Sequence, residues 1–235
     1  MTTTNMPVAL NIADISERFL KCNTATIYDV MDRMGYPHQC LDLTIRGLDR
    51  RMRIAGPAFT VRGTREPRFD DNFPRPELKN FGLLKAITPG SVVVINAEKD
   101  MNVGHWGEMM SLTARQHGAV GAVIDGGTRD MESILNIPDW SLFAKYTSPI
   151  ESKGRWRSQE FGAPIFMTGT TTSEVLVRPG DFIVGDGDGI MVIPHEIVME
   201  VLEKTEVMEI NEEGTRKDLL SGDPIDVVYK RYGRL

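Results

Sequence analysis

GHWGEMMSLTARQHGAVGAVIDGGTRD, residues 104–130, changes its periodicity twice. The spacing predicts a loop at Gly104, a helix over Gly107–His117 with Gly118 placed to end it, and a buried strand over Gly121–Asp125. Asp125-Gly126-Gly127 then reads as a loop that delivers Thr128, Arg129 and Asp130 at the C-terminal end of that strand. A helix feeding a buried strand is the unit of an α/β sheet, and ligands of such sheets commonly sit at the carboxyl ends of the strands.

Working outward, Pro89-Gly90 makes a turn into the β-branched strand Ser91–Ile95, and Met131–Asn136 reads as a short helix. Ile165–Thr168, Ser173–Val177, Phe182–Val184 and Ile190–Ile193 read as further strands. Near the start, residues 12–21 and 24–34 read as helices. In the second, Ile27, Val30, Met31 and Met34 share one face, Thr24 is placed as its cap and Gly35 as its stop. Met52–Val61 suggests a strand or two broken at Gly56-Pro57, and His195–Glu213 an acidic amphipathic helix followed by a mixed tail. Residues 64–80, with Pro67, Pro74 and Pro76 among many charges, read as a surface loop, either plainly solvated or a lid over a site. No linker or low-complexity stretch interrupts the chain. The expectation is one domain of α/β or α+β class over residues 1–235, with 195–235 as C-terminal helix and tail.

Composition limits the function classes. The chain has 235 residues, 41% hydrophobic and 26% charged, with a net charge of −6. That balance argues for a folded domain and against general nucleic-acid binding, which needs a basic face. No apolar run approaches the ~20 residues of a membrane helix, and no secretory pattern opens the chain. Cys22 and Cys40 form no zinc or redox pattern, so a cytoplasmic setting with idle thiols is expected.

The chemistry concentrates in 104–130. Arg129 can grip a carboxylate with two hydrogen bonds, and Asp130 can hold a hard divalent cation. Gly107 permits a tight entry into the helix, whose first-turn amides at Met109 and Met110 offer an anion site, with Glu108 at the same end. Each residue also has a structural reading. Glu108 can complement the helix dipole, Asp130 can cap the next helix, and Arg129 can pair with Asp130 on the surface. His105 reads as a loop histidine or as a general acid or base. Gly185-Asp186-Gly187-Asp188-Gly189 lacks the third acid and distal Glu of a calcium loop and reads as a turn between strands. No nucleotide, dinucleotide or serine-hydrolase motif is present.

These residues carry a resemblance. Trp106-Gly107-Glu108, Gly118-x-x-Gly121-x-Val123-Ile124-Asp125-Gly126-x-x-Arg129-Asp130 and Pro179-Gly180-Asp181 through Val192-Ile193-Pro194 match a family pattern. So does Thr24-Ala25-Thr26-x-Tyr28-Asp29-x-x-Asp32-x-x-Gly35. Together they resemble the family of 4-hydroxy-4-methyl-2-oxoglutarate aldolases, which also contains the regulator of ribonuclease E activity A, over roughly residues 20–210. The resemblance implies a swivelling β/β/α fold, a homotrimer or homohexamer, and active sites between subunits. It implies that Arg129 binds the carboxylate and keto end of a 2-oxo acid, and that the Met109 and Met110 amides take a carboxylate. Asp130 would hold Mg²⁺ or Mn²⁺, with Glu108 reaching the metal through water. The family often has Asp where Glu108 stands. A further acid would come from a neighbour's C-terminal segment, for which Glu203, Glu206, Glu209, Glu212 and Glu213 compete. The chemistry implied is aldol cleavage to pyruvate through its enolate, with oxaloacetate decarboxylation as a side reaction. A metal-linked water is the first choice of base and His105 the second. The competing readings are a non-enzymatic binding protein like the ribonuclease regulator, and a lyase or dehydratase of sugar-derived acids.

Overall fold

Val92–Asn96 and Gly121–Thr128 bury side chains on both faces, as parallel strands covered on both sides must. They form the centre of a computed structural model that describes residues 11–66 and 79–233. In chain order the elements begin with α1 (Ile12–Phe19), α2 (Thr24–Arg33), β1 (Arg46–Gly47), β2 (Ile54–Arg65), α3 (Lys79–Ala86) and β3 (Val92–Asn96). Next come β4 (Gly104–Trp106), α4 (Glu108–Gln116), β5 (Gly121–Thr128), α5 (Met131–Leu135), β6 (Ser141–Thr147) and β7 (Trp156–Phe161). Then β8 (Ile165–Thr168), β9 (Glu174–Val177), β10 (Phe182–Gly185) and β11 (Ile190–Ile193) lead through a 3₁₀ turn, His195–Ile197, to α6 (Val198–Leu220) and α7 (Ile225–Tyr232).

The main sheet has nine strands among the described residues, in the order β1-β6-β5-β3-β2-β10-β11, with β4 added to β5 and β7 to β2. The β2–β3, β3–β5, β5–β6 and β4–β5 pairings are parallel, and those of β1, β7, β10 and β11 are antiparallel. Strand alternation sorts the core into layers. Val93, Ile95, Ala122 and Ile124 face α3, α4 and α5, where Leu83, Ala114 and Ile134 pack on them. Val92, Val94 and Val123 face the separate β8–β9 hairpin through Ile165, Met167 and Val175. A third cluster seats α1, α2 and α6 on β10 and β11 through Phe19, Ile27, Met31, Phe182 and Leu202.

Gly185–Gly189 is the β10–β11 turn, as expected, but it does more than reverse the chain. Asp186 is buried and accepts hydrogen bonds from the Thr24 N–H (2.9 Å), the Thr24 hydroxyl (2.6 Å) and the Asp188 N–H (2.9 Å). It therefore binds the first turn of α2, whose cap position, Asn23, makes no side-chain cap bond. The expectation that Thr24 caps this helix is corrected, because Thr24 is its first residue and the acid arrives from the far end of the chain. Asp186→Ala would strand those donors, and we expect a loss of about 2–4 kcal/mol, seen as a lower denaturant midpoint at unchanged m-value. An unchanged midpoint would remove Asp186 from the framework.

Three further corrections concern element boundaries. Ile54–Arg65 is one continuous strand, with no break at Gly56-Pro57. Pro57 lies one residue before the ladder to β3 begins at Ala58, so its missing N–H costs that ladder nothing. Thr64 and Arg65 belong to β2, and Lys79 and Asn80 open α3, so the expected 64–80 loop is shorter at both ends; residues 67–78 lie outside the described residues. The C-terminal helix runs past Glu213 to Leu220, and the expected tail contains a second helix, α7.

Candidate active site

The strand β5 does not stop at Asp125. It continues through Gly126 and Gly127 to Thr128, with a register shift against β6 between Ile124 and Gly127. The expected Gly-Gly loop is therefore strand, and the reason for glycine is space. A Cβ on Gly126 would lie 2.7 Å from the His105 ring and from Ala97, and one on Gly127 would lie 2.3 Å from the Tyr146 ring. Where β3 ends at Asn96, opposite Asp125, β4 takes over as the neighbour and pairs Gly104 with Gly127 and Trp106 with Thr128. The Trp106 carbonyl accepts the Arg129 N–H (2.9 Å) and the Thr128 hydroxyl (2.8 Å). Buried Trp106 donates its indole N–H to Ser111 (2.9 Å) in α4, so one residue ties the end of β5 to the helix that follows β4.

This construction brings Arg129, Asp130, Gly107 and Glu108 together. Asp130 has φ 60° and ψ 37°, a left-handed conformation that costs a residue with a side chain about 1 kcal/mol. It precedes α5 but makes no side-chain cap bond to it. Instead Oδ2 accepts the Glu108 N–H at the start of α4 (3.2 Å), and Oδ1 accepts from Arg129 Nε (3.3 Å). The capping role is thus corrected, and the surface pair is joined to a second helix. Gly107 is where the two meet, since its Cβ would lie 2.6 Å from Asp130 Oδ2 and 3.0 Å from Arg129 Cγ. The side chains of Arg129 and Asp130 are 34% and 35% exposed, open to a ligand. Met109 is exposed, Met110 packs against the core, and their amides lie in the first turn, where a helix supplies no acceptor of its own.

Two residues that carry carboxylates, Glu108 and Asp130, meet here through the Glu108 N–H. Magnesium and manganese take oxygen ligands, and magnesium sites commonly use one or two carboxylates with water and substrate, so this donor set fits such an ion. Among the described residues the three-member group close enough to share an ion lies elsewhere: Asp181, His195 and Glu196. Asp181 is buried, and its oxygens accept the N–H groups of Arg178 (2.7 Å) and His195 (3.1 Å), the work of a turn. Of the C-terminal acids, Glu206 receives both arms of Arg18 (2.8 and 2.7 Å), Glu209 receives the Asn23 N–H (2.7 Å), and Glu213 pairs with Arg216. Glu206 and Glu209 therefore fasten α6 to α1 and to the residue that precedes α2.

The sequence offers His105 as a loop residue or as a general acid or base. Its side chain is wholly buried on β4, with Nε2 3.1 Å from Asp100 Oδ2 and Nδ1 3.0 Å from the Gly127 N–H. Both ring nitrogens are engaged inside the protein, so His105 has none to offer a substrate. Burial holds its pKa below the ordinary value, against the pull of Asp100. Unfolded histidine titrates near ~6.5, so the unfolded chain takes up this proton first as pH falls. The stabilisation is complete above about pH 6.5 and is lost as pH drops toward the lower folded pKa. The melting-temperature advantage of wild type over His105→Asn should therefore shrink between about pH 7.5 and pH 5.5. A constant difference would contradict this.

Sequence reasoning also missed Asp125 as an anchor. It is buried and accepts from Lys145 Nζ (2.5 Å), the Thr168 N–H (2.6 Å) and the Thr168 hydroxyl (3.0 Å), which fastens the hairpin to the sheet. A cleft of about 320 Å³ opens beside it, between Arg62, Asn96, Lys99 and Phe166. Cys22 and Cys40 are free thiols, and burial raises the pKa of both. Among the described residues no helix is long and apolar enough to cross a membrane.

A mixed α/β domain whose central parallel strand ends in Arg-Asp against the first turn of a helix defines a class. The chain belongs to the RraA-like family: the family profile, described as Aldolase/RraA, matches residues 24–192, which include this whole arrangement. A Halalkalibacterium halodurans protein with the provisional name 4-hydroxy-4-methyl-2-oxoglutarate aldolase is 30% identical over 209 residues, 87% of this chain and 88% of that one. Protein DlpA of Legionella pneumophila is 27% identical over 219 residues, 93% of this chain, and this chain spans about a third (34%) of its length. The crystal structure of Streptomyces coelicolor RraAS2, titled an unusual member of the RNase ES inhibitor RraA family, superposes with a TM-score of 0.73. It covers 89% of this chain and 99% of its own at 23% identity, a likeness of fold.

Proposed function

We propose that this protein is a divalent-metal-dependent carbon–carbon lyase that cleaves a 4-hydroxy-2-oxo acid to pyruvate, with oxaloacetate decarboxylation as a side activity. The observation that carries the reading is the strained Asp130, shared between Arg129 and the Glu108 N–H at the mouth of α4. The name of the Halalkalibacterium halodurans relative supports it.

Asp130 and Glu108 would hold Mg²⁺ or Mn²⁺, which supplies Lewis-acid stabilisation of the charge that develops on the keto oxygen. Arg129 orients the substrate by its carboxylate and adds fixed positive charge beside that oxygen. The Met109 and Met110 amides donate to the second carboxylate at the helix end. Cleavage breaks the C3–C4 bond; its electrons form the enolate of pyruvate, which takes a proton at C3, while the C4 hydroxyl proton leaves to water. His105, enclosed with both nitrogens bonded, is not the base in this reading.

The assembly we propose is a homotrimer or homohexamer with sites between subunits. Apolar Met109, Leu112, Met131 and Leu135 are exposed around the site, and Ile210, Leu220 and Ile225 along α6 and α7, which suits burial against neighbouring copies. Light scattering would report the mass. The functional test is coupled pyruvate detection with 4-hydroxy-4-methyl-2-oxoglutarate and Mg²⁺, beside a panel of aldonic acids. We expect two pyruvates per molecule cleaved. Loss of water from an aldonic acid without cleavage of the oxo acid would move the assignment to a dehydratase.

A further inference from the structure

We infer that His105, held by Asp100, is a positioning residue that fixes the end of β5 from which Arg129 and Asp130 project; its kinetic consequence rests on the lyase reading above. The His105 ring sits between two fixed points. Asp100 is 3% exposed and accepts at Oδ2 from the Asn102 N–H (3.1 Å) and at Oδ1 from the Asn102 side chain (3.0 Å), with Arg65 Nε 3.1 Å from Oδ1. Its Oδ2 also faces His105 Nε2 at 3.1 Å. A carboxylate accepts, so the ring proton belongs on Nε2, which leaves Nδ1 an acceptor. Of the two Gly127 backbone atoms near Nδ1, the N–H at 3.0 Å suits an acceptor and the carbonyl at 3.3 Å does not.

The rest of the surroundings prevent the ring from moving. Trp156 packs edge-on with ring centroids 4.8 Å apart, and the place of a Gly126 Cβ is filled by the ring itself. The Tyr146 hydroxyl donates to the Val103 carbonyl (3.1 Å), holding the strand that carries the histidine. Gly127 is bonded by the residue immediately before Trp106, and Trp106 in turn holds Thr128 and Arg129. The imidazole thus adds a side-chain lock to the short β4–β5 ladder just where the chain leaves the sheet for the site. Among the described residues the hydrogen bonds of His105 go to Asp100 and Gly127 and not to Arg129, Asp130 or Glu108, so its action passes through the backbone.

Three variants separate this from a packing role. His105→Asn places an amide oxygen near the Nδ1 position and keeps an acceptor for Gly127. His105→Gln reaches toward Asp100 and leaves Gly127 without one. Asp100→Asn replaces the acceptor with an amide that can donate to Nε2 and so drives the ring proton to Nδ1, against the Gly127 N–H. The readouts are histidine ¹⁵N ring shifts, hydrogen exchange over residues 126–129, melting temperature, and kcat and KM for pyruvate release. We expect an Nε2–H signal in wild type that moves to Nδ1–H in Asp100→Asn. Exchange over 126–129 should be faster in His105→Gln and Asp100→Asn, with kcat about 10–100-fold lower and KM changed less. His105→Asn should restore most of both losses. Equal losses in His105→Asn and His105→Gln, an Nδ1–H ring in wild type, or unchanged exchange in both Asp100→Asn and His105→Gln would overturn the inference. If wild type releases no pyruvate, the lyase reading fails while the ring shifts and exchange still decide the role of His105.

Discussion

Arg129→Ala is expected to lower pyruvate release by about 10³-fold while the melting temperature stays within about 2 °C of wild type. The guanidinium is the one fixed positive charge that the end of β5 delivers beside Asp130, and a preorganised charge at a developing oxyanion commonly contributes two to three orders of magnitude. The side chain is a third exposed and its partner equally so, so little folding energy depends on the pair. Arg129→Lys should recover little, because an ammonium cannot make the two parallel hydrogen bonds that orient a carboxylate. Asp130→Asn is the companion variant. Asparagine tolerates the left-handed backbone and can still accept the Glu108 N–H, so the fold should stand while the charge that would hold the cation is gone. Loss of activity in both, in folded protein, is the expected result; rates within a few-fold of wild type in both would remove these residues from the site.

Gly107→Ala is expected to lower kcat/KM by about 10²-fold through geometry alone. The backbone at 107 is extended, with φ −142° and ψ −172°, so alanine meets no conformational penalty there. Its methyl group would meet the Asp130 carboxylate at 2.6 Å and the stem of Arg129 at Cγ, 3.0 Å away, and both partly exposed side chains would have to turn aside. The cost therefore falls on the position of the two functional groups rather than on stability. Gly82→Ala is the control: among the described residues nothing lies within 4 Å of a Cβ at that exposed place in α3, and alanine favours a helix by about 1 kcal/mol. It should leave activity unchanged and raise the melting temperature slightly. A Gly107→Ala enzyme as active as the Gly82→Ala enzyme would contradict the packing at the mouth of α4.

What could be read in the sequence was what repeats along the chain or is punctuated by glycine and proline. The valine run of β3, the helix between Gly107 and Gly118, and the turn at Gly185–Gly189 are all found where their patterns place them. Arg129, Asp130 and Glu108 meet because the strand and helix that carry them were legible as units. Strands without such a pattern were not legible. β4 is three residues long, and β7 buries only Trp156 and Ser158 on a sheet edge, too few for an alternation to register. Gly126-Gly127 looked like a loop because composition does not reveal that an aromatic ring and an imidazole occupy the space of their side chains. The partners of His105 were hidden for a related reason. Asp100 follows two left-handed residues, Glu98 and Lys99, and Gly127 is brought to the ring only by strand pairing. Asp186 and Thr24 lie 162 residues apart along the chain, and no local pattern announces their contact.

The central claim, an enolate-forming site at Arg129, Asp130 and Glu108, is tested most directly by pyruvate release from oxaloacetate. The rate is measured with Mg²⁺ or Mn²⁺, then with a chelator, against a protein-free control that contains the same metal. The account requires release well above the metal-only control that the chelator abolishes and that metal restores. Release no faster than the control, from folded protein shown to have bound the ion, would contradict it.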